Sequence, residues 1–134
     1  MKITTTDLDG YESAWIPKAG RSSNASKLHL IAKDIIKELY PVHIILEEVT
    51  LPIRRGTKLR ADFFIPSHLI IVEVQGKQHF EFNSFHYNNR RDFAKAKARD
   101  GLKKEWTYLN DIELVELPYN ESRDEWVGRL TTTE

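Results

Sequence analysis

The chain contains no cysteine, and this absence excludes both a disulfide framework and a zinc site built on thiolates. It has no apolar run near the ~18 residues that a membrane span needs, and no segment resembles a signal peptide. Internal repeats and low-complexity segments are also absent. These absences predict an intracellular protein.

A net charge is lacking too, because 20 basic residues balance 20 acidic ones. The total does not indicate a nucleic-acid-binding protein, but the charges are placed unevenly. Basic residues cluster around Arg54 and Arg55 and again from Arg90 through Lys104, whereas acids cluster from 111 to 125. Either basic cluster alone is also typical of an ordinary solvated surface.

The length and composition predict one globular domain. The chain has 134 residues, of which 40% are hydrophobic and 30% charged. We expect an irregular N-terminal arm over 1–21, a core over 22–119 and a C-terminal tail over 120–134. Trp15 in the arm is expected either to pin it to the core or to meet a partner, and Trp126 to dock the tail.

The most informative stretch runs from Leu59 to His79 and reads as two strands folded back on each other. Pro66 and Ser67 are turn residues between two runs rich in β-branched and aromatic side chains. Polar residues interrupt this apolar hairpin at three positions: Asp62, Glu73 and Gln75.

The hairpin brings two carboxylates together. Folding about Pro66 places Asp62 opposite Glu73, where side chains lie roughly 5 Å apart at Cβ. Carboxylates this close repel each other, and an apolar sheet hides charge badly. A divalent cation removes both problems, since hard cations bind carboxylate oxygens. The alternative is a solvated sheet face on which the acids pair with Arg60 or Lys77.

The flanking segments predict two helices and two further strands. An apolar stripe from Leu28 to Leu39 predicts a helix that is capped by Ser23 or Asn24 and ends at Tyr40, before a proline. A second helix is expected from Arg90 to Tyr108, with a buried stripe of small and apolar residues: Ala94, Ala98, Leu102 and Trp106. The strands are expected at 43–53 and 112–117, and Arg54 to Thr57 reads as a basic hairpin loop.

The resulting order is helix, three strands, helix, strand. Because the last strand follows a helical crossover, we expect it to lie parallel to one of the first three. The prediction is therefore an α/β protein with a small mixed sheet and a helix on each side.

This order resembles the PD-(D/E)xK nuclease superfamily, whose restriction-endonuclease-like core has the same αβββαβ arrangement. Its first acid matches Asp62, and Glu73-Val74-Gln75 stands where its (D/E)xK triplet is found. Gln75 replaces the usual lysine. The segments RADFFIP, VEVQGKQHF, RDGLKKEW and IELVELPY more closely resemble the group related to very-short-patch repair endonucleases, which includes phage homing endonucleases.

That group has a Glu-Asp-x-His-Asp site, and the resemblance assigns its parts to this chain. The aspartate matches Asp62, the histidine His79 and the late helical aspartate Asp100. The early glutamate is expected on the first helix, where His29 stands instead. Glu47 or Glu48 on the first strand of the core are candidates to supply the missing carboxylate.

The resemblance implies a DNA endonuclease of a bacterial or phage-infected cell. Asp62, Glu73 and the Val74 carbonyl would hold Mg²⁺ or Mn²⁺, and the ion would acidify a bound water. His79 would act as general base or proton shuttle, and Gln75 would order a water or contact a phosphate. Basic side chains would contact the DNA backbone: Arg54, Arg55, Lys58, Lys77 and Lys103.

Two alternatives stay open on the sequence alone. One is a catalytically inactive module of the same fold that binds nucleic acid, which the departures at Gln75 and His29 permit. The other is a protein-binding or inhibitory domain, consistent with zero net charge. A homodimer, the target sequence and the choice between DNA and RNA are likewise open.

Overall fold

A computed structural model describes residues 1–20, 26–77 and 90–132. The strands are β1 (Ile3–Thr6), β2 (Glu12–Trp15), β3 (Leu46–Arg54), β4 (Thr57–Ile65), β5 (Ile70–Gln75) and β6 (Glu113–Pro118). The helices are α1 (Lys27–Leu39), α2 (Arg90–Leu109) and α3 (Arg123–Thr131). Among these residues, no helix combines the length and the apolar character that a membrane crossing requires.

The main sheet has four strands in the order β3-β4-β5-β6. β4 runs antiparallel to both β3 and β5, whereas β6 runs parallel to β5. A short 3-10 turn over Pro66–His68 joins β4 to β5, and Leu69 after it adopts a left-handed backbone conformation. The predicted mixed α/β sheet, the Pro66-Ser67 turn and the parallel last strand are confirmed.

Helix α1 covers one face of the sheet. Its buried residues include Ala32, Ile35 and Ile36, which lie on the predicted apolar stripe. The helix ends at Leu39 with Tyr40 as its C-cap, as the following proline requires. The N-cap is Ser26, whose hydroxyl accepts a hydrogen bond from the His29 N–H. The predicted caps at 23 or 24 are therefore wrong, and both positions lie outside the described residues.

Two apolar cores lie on opposite faces of the sheet. The core under α1 and α3 contains Phe63, Ile65 and Val72 together with the helix side chains. The other core contains Phe64 and Ile71 from the same strands, packed with Trp15 and Trp106. Because side chains alternate along β4 and β5, the same two strands contribute apolar residues to both cores. The sheet lies between helices, as predicted.

The N-terminal arm is a β-hairpin and not irregular. β1 pairs with β2, and Gly10 takes a positive φ of 91° between them. Trp15 is buried, packs edge-on against Trp106 with ring centroids 5.3 Å apart, and donates from Nε1 to the Thr50 carbonyl at 3.1 Å. It therefore pins the arm to the core. Strands of four residues, with threonine and serine in place of apolar alternation, give no pattern that predicts them.

The C-terminal tail forms helix α3. Ser122 and Glu125 make a reciprocal capping box at its start, a sequence signal that the prediction of a tail overlooked. Trp126 and Leu130 are buried in the core under α1, and Trp126 Nε1 donates to the Pro118 carbonyl at 2.8 Å. The predicted docking of Trp126 is confirmed.

The predicted buried stripe of α2 is wrong in its first half. Ala94 and Ala98 are exposed, Leu102 is half-buried and only Trp106 is fully buried. Among the described residues, α2 contributes only Trp106 and Leu102 to the core on this face. The end of α2 therefore packs against the sheet, whereas its first half stays at the surface, because the methyl group of an alanine gains little from burial.

Trp15 and its neighbour Ile16 provide a test of how the hairpin is held. Replacing Trp15 by alanine should cost about 3–5 kcal/mol of unfolding free energy, because a buried aromatic side chain and its ring contacts are lost. Ile16 is 49% exposed, so Ile16→Ala should change stability by less than about 0.5 kcal/mol. Urea denaturation of both variants measures the difference. Equal costs would show that Trp15 does not anchor the hairpin.

Candidate active site

The candidate site forms where β4 and β5 stop pairing. Their ladder covers Ile65 with Ile70 through Phe63 with Val72, and the next two opposed residues are Asp62 and Glu73. Beyond this point, carboxylate side chains accept the hydrogen bonds of backbone N–H groups. The Asp62 N–H donates to Glu73 Oε2 at 3.2 Å, and the Val74 N–H donates to Asp62 Oδ2 at 2.7 Å. The predicted proximity of the two acids on neighbouring antiparallel strands is confirmed.

A second irregularity lies directly across β4, at Glu48 on β3. Glu48 has a positive φ of 53°, and it falls opposite Asp62 in a register that pairs its neighbours Glu47 and Val49 with β4. The backbone of this bend packs closely against the N-terminal segment. A Cβ at Gly20 would lie 2.3 Å from the Glu48 carbonyl oxygen, so only glycine fits there.

His29 on α1 lies beside this bend. Its ring is buried, stacks on Phe63 with centroids 4.4 Å apart, and has Nε2 3.0 Å from Glu47 Oε1. Lys33 Nζ lies 3.0 Å from the other oxygen of Glu47. Partial burial works against ionisation of Glu47, but its hydrogen bonds with His29 and Lys33 hold its pKa below the usual value.

The structure distinguishes the three candidates for the position of the early acid, which are His29, Glu47 and Glu48. One ring nitrogen of His29 and one carboxylate oxygen each from Glu48 and Asp62 lie within 4.8 Å of one another. Glu47 instead braces the His29 ring. Glu48 is therefore the carboxylate that joins Asp62, and its pKa is raised by burial and by the charge of Asp62.

Lys103 on α2 makes the main charged contact to Glu73. Its Nζ lies 2.6 Å from Glu73 Oε1. Burial raises the pKa of the Glu73 carboxyl to about 8, with Lys103 opposing the rise and Asp62 adding to it. The sequence predicts a phosphate contact for Lys103. Its place beside a strand carboxylate depends on how α2 packs on the sheet, which the sequence does not show.

A cavity of about 250 Å³ opens at this carboxylate pair. Asp62, Glu73 and Val74 line it from the sheet, and Asp100 and Lys103 line it from α2. The helix thus presents Asp100 at the cavity beside the sheet.

Gln75 also lines the cavity, but its side chain is engaged at the edge of the sheet. Its amide donates to Glu116 on β6, which Lys104 also approaches at 3.4 Å. Glu116 was not among the predicted residues. It is the partner of Glu73 in the parallel register of β5 and β6, a pairing that requires knowledge of the strand order.

The remaining predicted residues lie apart from the cavity or outside the described part of the chain. His79 falls in 78–89, which the structure does not describe. Lys77 is exposed just after β5. The tip of the β3–β4 hairpin carries Arg54, Arg55 and Lys58, and Arg55 lies 5.1 Å above the Tyr11 ring. Asp62 lies five positions after Thr57 in β4, a distance of about 16 Å along a strand.

Relatives of this chain are viral proteins. It is 38% identical over 64 residues to the uncharacterized protein 033L of Invertebrate iridescent virus 3, which covers 48% of this chain and 33% of that protein. It is 37% identical over 65 residues to the uncharacterized protein 094L of Frog virus 3 (isolate Goorha), and this match covers 48% of this chain and 42% of that protein. A third relative is the uncharacterized protein 307L of Invertebrate iridescent virus 6. It is 33% identical over 61 residues, and the match covers 46% of this chain and 31% of that protein.

The chain thus spans between about a third and two fifths of the length of the curated relatives it matches. No protein-family model matches the chain, and no solved structure matches it either. The function therefore has to be argued from the site.

The raised pKa of Glu73 gives a pH-dependent stability with a definite sign. Between the ordinary pKa of 4.5 and about 8, the folded protein binds more protons than the unfolded chain. Its free energy of unfolding should therefore fall as the pH rises through this window, and Glu73→Gln should remove that fall. Thermal melting from pH 5 to pH 9 without divalent ions measures it.

The exposed strand residue Glu113 provides the control for this measurement. Glu113→Gln should keep the dependence of the wild type. If Glu73→Gln and the wild type lose stability in parallel between pH 5 and pH 8, Glu73 does not carry a raised pKa in the folded protein.

Proposed function

We propose that the protein is a metal-dependent endonuclease that hydrolyses DNA phosphodiester bonds at the cavity between β4, β5 and α2. The observation that carries this proposal is the pair of carboxylates at the opening of the β4–β5 ladder. Asp62 and Glu73 exchange hydrogen bonds with the opposite backbone, so both are held in place and both face a cavity that solvent can enter.

The donor set fits a divalent ion. Two carboxylates in one small cavity offer the oxygen ligands that Mg²⁺ prefers. An ion there would favour the ionised form of Glu73, whose pKa is raised by burial and, to a smaller extent, by the charge of Asp62. Asp62 and Glu73 would hold the ion, and the carbonyl of Val74, which follows Glu73 on β5, would be a further oxygen ligand. When bound, a divalent ion supplies positive charge to a scissile phosphate and acidifies water.

Lys103 supplies the cationic group that the triplet Glu73-Val74-Gln75 lacks. Gln75 stands where the superfamily pattern has lysine, but α2 brings an ammonium group to within 2.6 Å of the Glu73 carboxylate. When a divalent ion binds Glu73, the Lys103 ammonium group is released from that carboxylate and can contact a phosphate oxygen. The side chain is only 18% exposed, so little water screens its charge.

The exposed beginning of α2 is suited to the DNA backbone. Five of its residues between 90 and 99 are basic, and they directly precede Asp100 and Lys103, which line the cavity. Lys97 lies three residues before Asp100 and therefore on the same face of the helix. Phosphate contacts of this kind position a nucleic acid without reading its sequence.

One observation favours a second candidate, a module that binds nucleic acid without cutting it. The Lys103 ammonium group already contacts Glu73, one of the two acids, at 2.6 Å. A site that is satisfied in this way keeps its fold without an ion, and the same basic helix would still bind phosphates. Metal-dependent cleavage separates the two candidates.

Asp62→Asn tests the endonuclease directly. The variant keeps the shape of the side chain but removes the charge that binds the ion, so nicking of a supercoiled plasmid in Mg²⁺ should be lost. The rise in melting temperature on adding Mg²⁺ should also shrink, because an ion that binds only the folded state stabilises it by mass action. Gel assays and thermal melting measure both effects.

Asp34→Asn is the matched control, because Asp34 is an exposed aspartate on α1. It should cut and melt like the wild type. Cleavage by Asp62→Asn at the wild-type rate would contradict the proposed site. A shifted DNA band without metal-dependent cleavage by the wild type would favour the binding module, and neither effect would favour a protein-binding domain.

Lys97 and Lys95 test which face of α2 meets DNA. Lys97→Ala should weaken binding about equally on all sequences and reduce the slope of log affinity against log salt by about one. Lys95 is exposed on another side of the helix, so Lys95→Ala should leave that slope unchanged. Fluorescence anisotropy between 50 and 200 mM salt, a range chosen to span roughly a thousandfold in affinity for a phosphate-binding protein, provides the measurement. An equal loss in both variants would show that DNA does not lie along the cavity face.

A further inference from the structure

We propose that His29, Glu48 and Asp62 form a second metal site, which shares Asp62 with the Asp62–Glu73 pair, and that this site selects a transition-metal ion over Mg²⁺. The proposal concerns binding and does not depend on DNA hydrolysis. It rests on a group of donors that the strand irregularities at Glu48 and Asp62 bring together beside α1.

The distances suit one ion. A ring nitrogen of His29 and one oxygen each of Glu48 and Asp62 all lie within 4.8 Å of one another. Ligands on opposite sides of a single ion lie about 4.2 Å apart, since each bond is about 2.1 Å long. Small side-chain movements are therefore enough to close the group around an ion.

Each donor is held by its own element. His29 is fixed by its stacking on Phe63 and by its bond to Glu47. Glu48 projects from a bend with a positive φ, and Asp62 is oriented by the Val74 N–H. Ligands that arrive from a helix and two strands in this way need little reordering to bind.

The contact between His29 and Glu47 engages one ring nitrogen and leaves the other for an ion. A ligating imidazole commonly donates its other ring N–H to a carboxylate, which fixes the tautomer and makes the ligating nitrogen more basic. Nε2 of His29 lies 3.0 Å from Glu47 Oε1. A proton on Nε2 leaves Nδ1 with the lone pair that an ion requires.

The chemistry of the donors sets the selectivity. Imidazole nitrogen suits zinc and the later first-row metals, whereas sites made of carboxylates and carbonyls suit Mg²⁺. The Asp62–Glu73 pair offers only oxygens, and the group with His29 offers nitrogen and two oxygens. Two neighbouring donor sets that share Asp62 therefore differ in the ion that each prefers.

Calorimetric titration of the full chain with Zn²⁺ and with Mg²⁺ tests the proposal. His43 and His68 form a separate histidine pair, with ring centroids 4.7 Å apart, so the titrations use a background in which both are alanine. Glu48→Gln and His29→Gln should each weaken one Zn²⁺ site by at least about tenfold. Glu73→Gln should leave that site unchanged, and Glu47→Gln should weaken it about tenfold through the imidazole.

Melting curves without metal show which variants are folded. If His29→Gln does not fold, Glu48→Gln decides the outcome, because Glu48 is only half-buried. An unchanged Zn²⁺ isotherm in folded Glu48→Gln overturns the proposal, even where the wild type cuts DNA with Mg²⁺. If the protein cuts no DNA but has a Zn²⁺ site that depends on His29 and Glu48, this proposal is supported. Only the endonuclease proposal is then contradicted.

Discussion

The site depends on how the backbone N–H groups are satisfied where β4 and β5 separate. Strands that stop pairing inside a sheet leave polar groups that have to find other partners. Here the Asp62 N–H is satisfied by the Glu73 carboxylate and the Val74 N–H by the Asp62 carboxylate. The acids therefore both close the end of the ladder and stand next to each other, and their charges meet because of the same hydrogen bonds that hold the strands.

The surrounding helices contact these carboxylates from two sides. Lys103 on α2 pairs with Glu73, and His29 on α1 lies with Glu48 and Asp62. Burial still raises the pKa of Glu73 to about 8, so the folded chain retains unfavourable electrostatic energy at the carboxylates when they ionise. A divalent ion would remove this cost, which connects the stability of the fold to the proposed chemistry.

Much of the core could be predicted from local pattern, and the exceptions have physical causes. The stripe of α1 and the Pro66 turn are set by residues close in sequence, which is why their positions and the meeting of Asp62 with Glu73 were predictable. The exposure of Ala94 and Ala98 was not, because the part of α2 that packs on the sheet is a tertiary property. The bend at Glu48 was not either, since glutamate rarely adopts a positive φ.

The most direct test of the account is a crystal structure of the chain grown with Mn²⁺, read by anomalous scattering. If the two carboxylates hold a divalent ion, a peak is expected within about 2.2 Å of one oxygen of Asp62 and one of Glu73, with Lys103 Nζ moved away from Glu73. Anomalous density absent from this position, with Lys103 still paired to Glu73, would contradict the claim that these carboxylates hold a divalent ion.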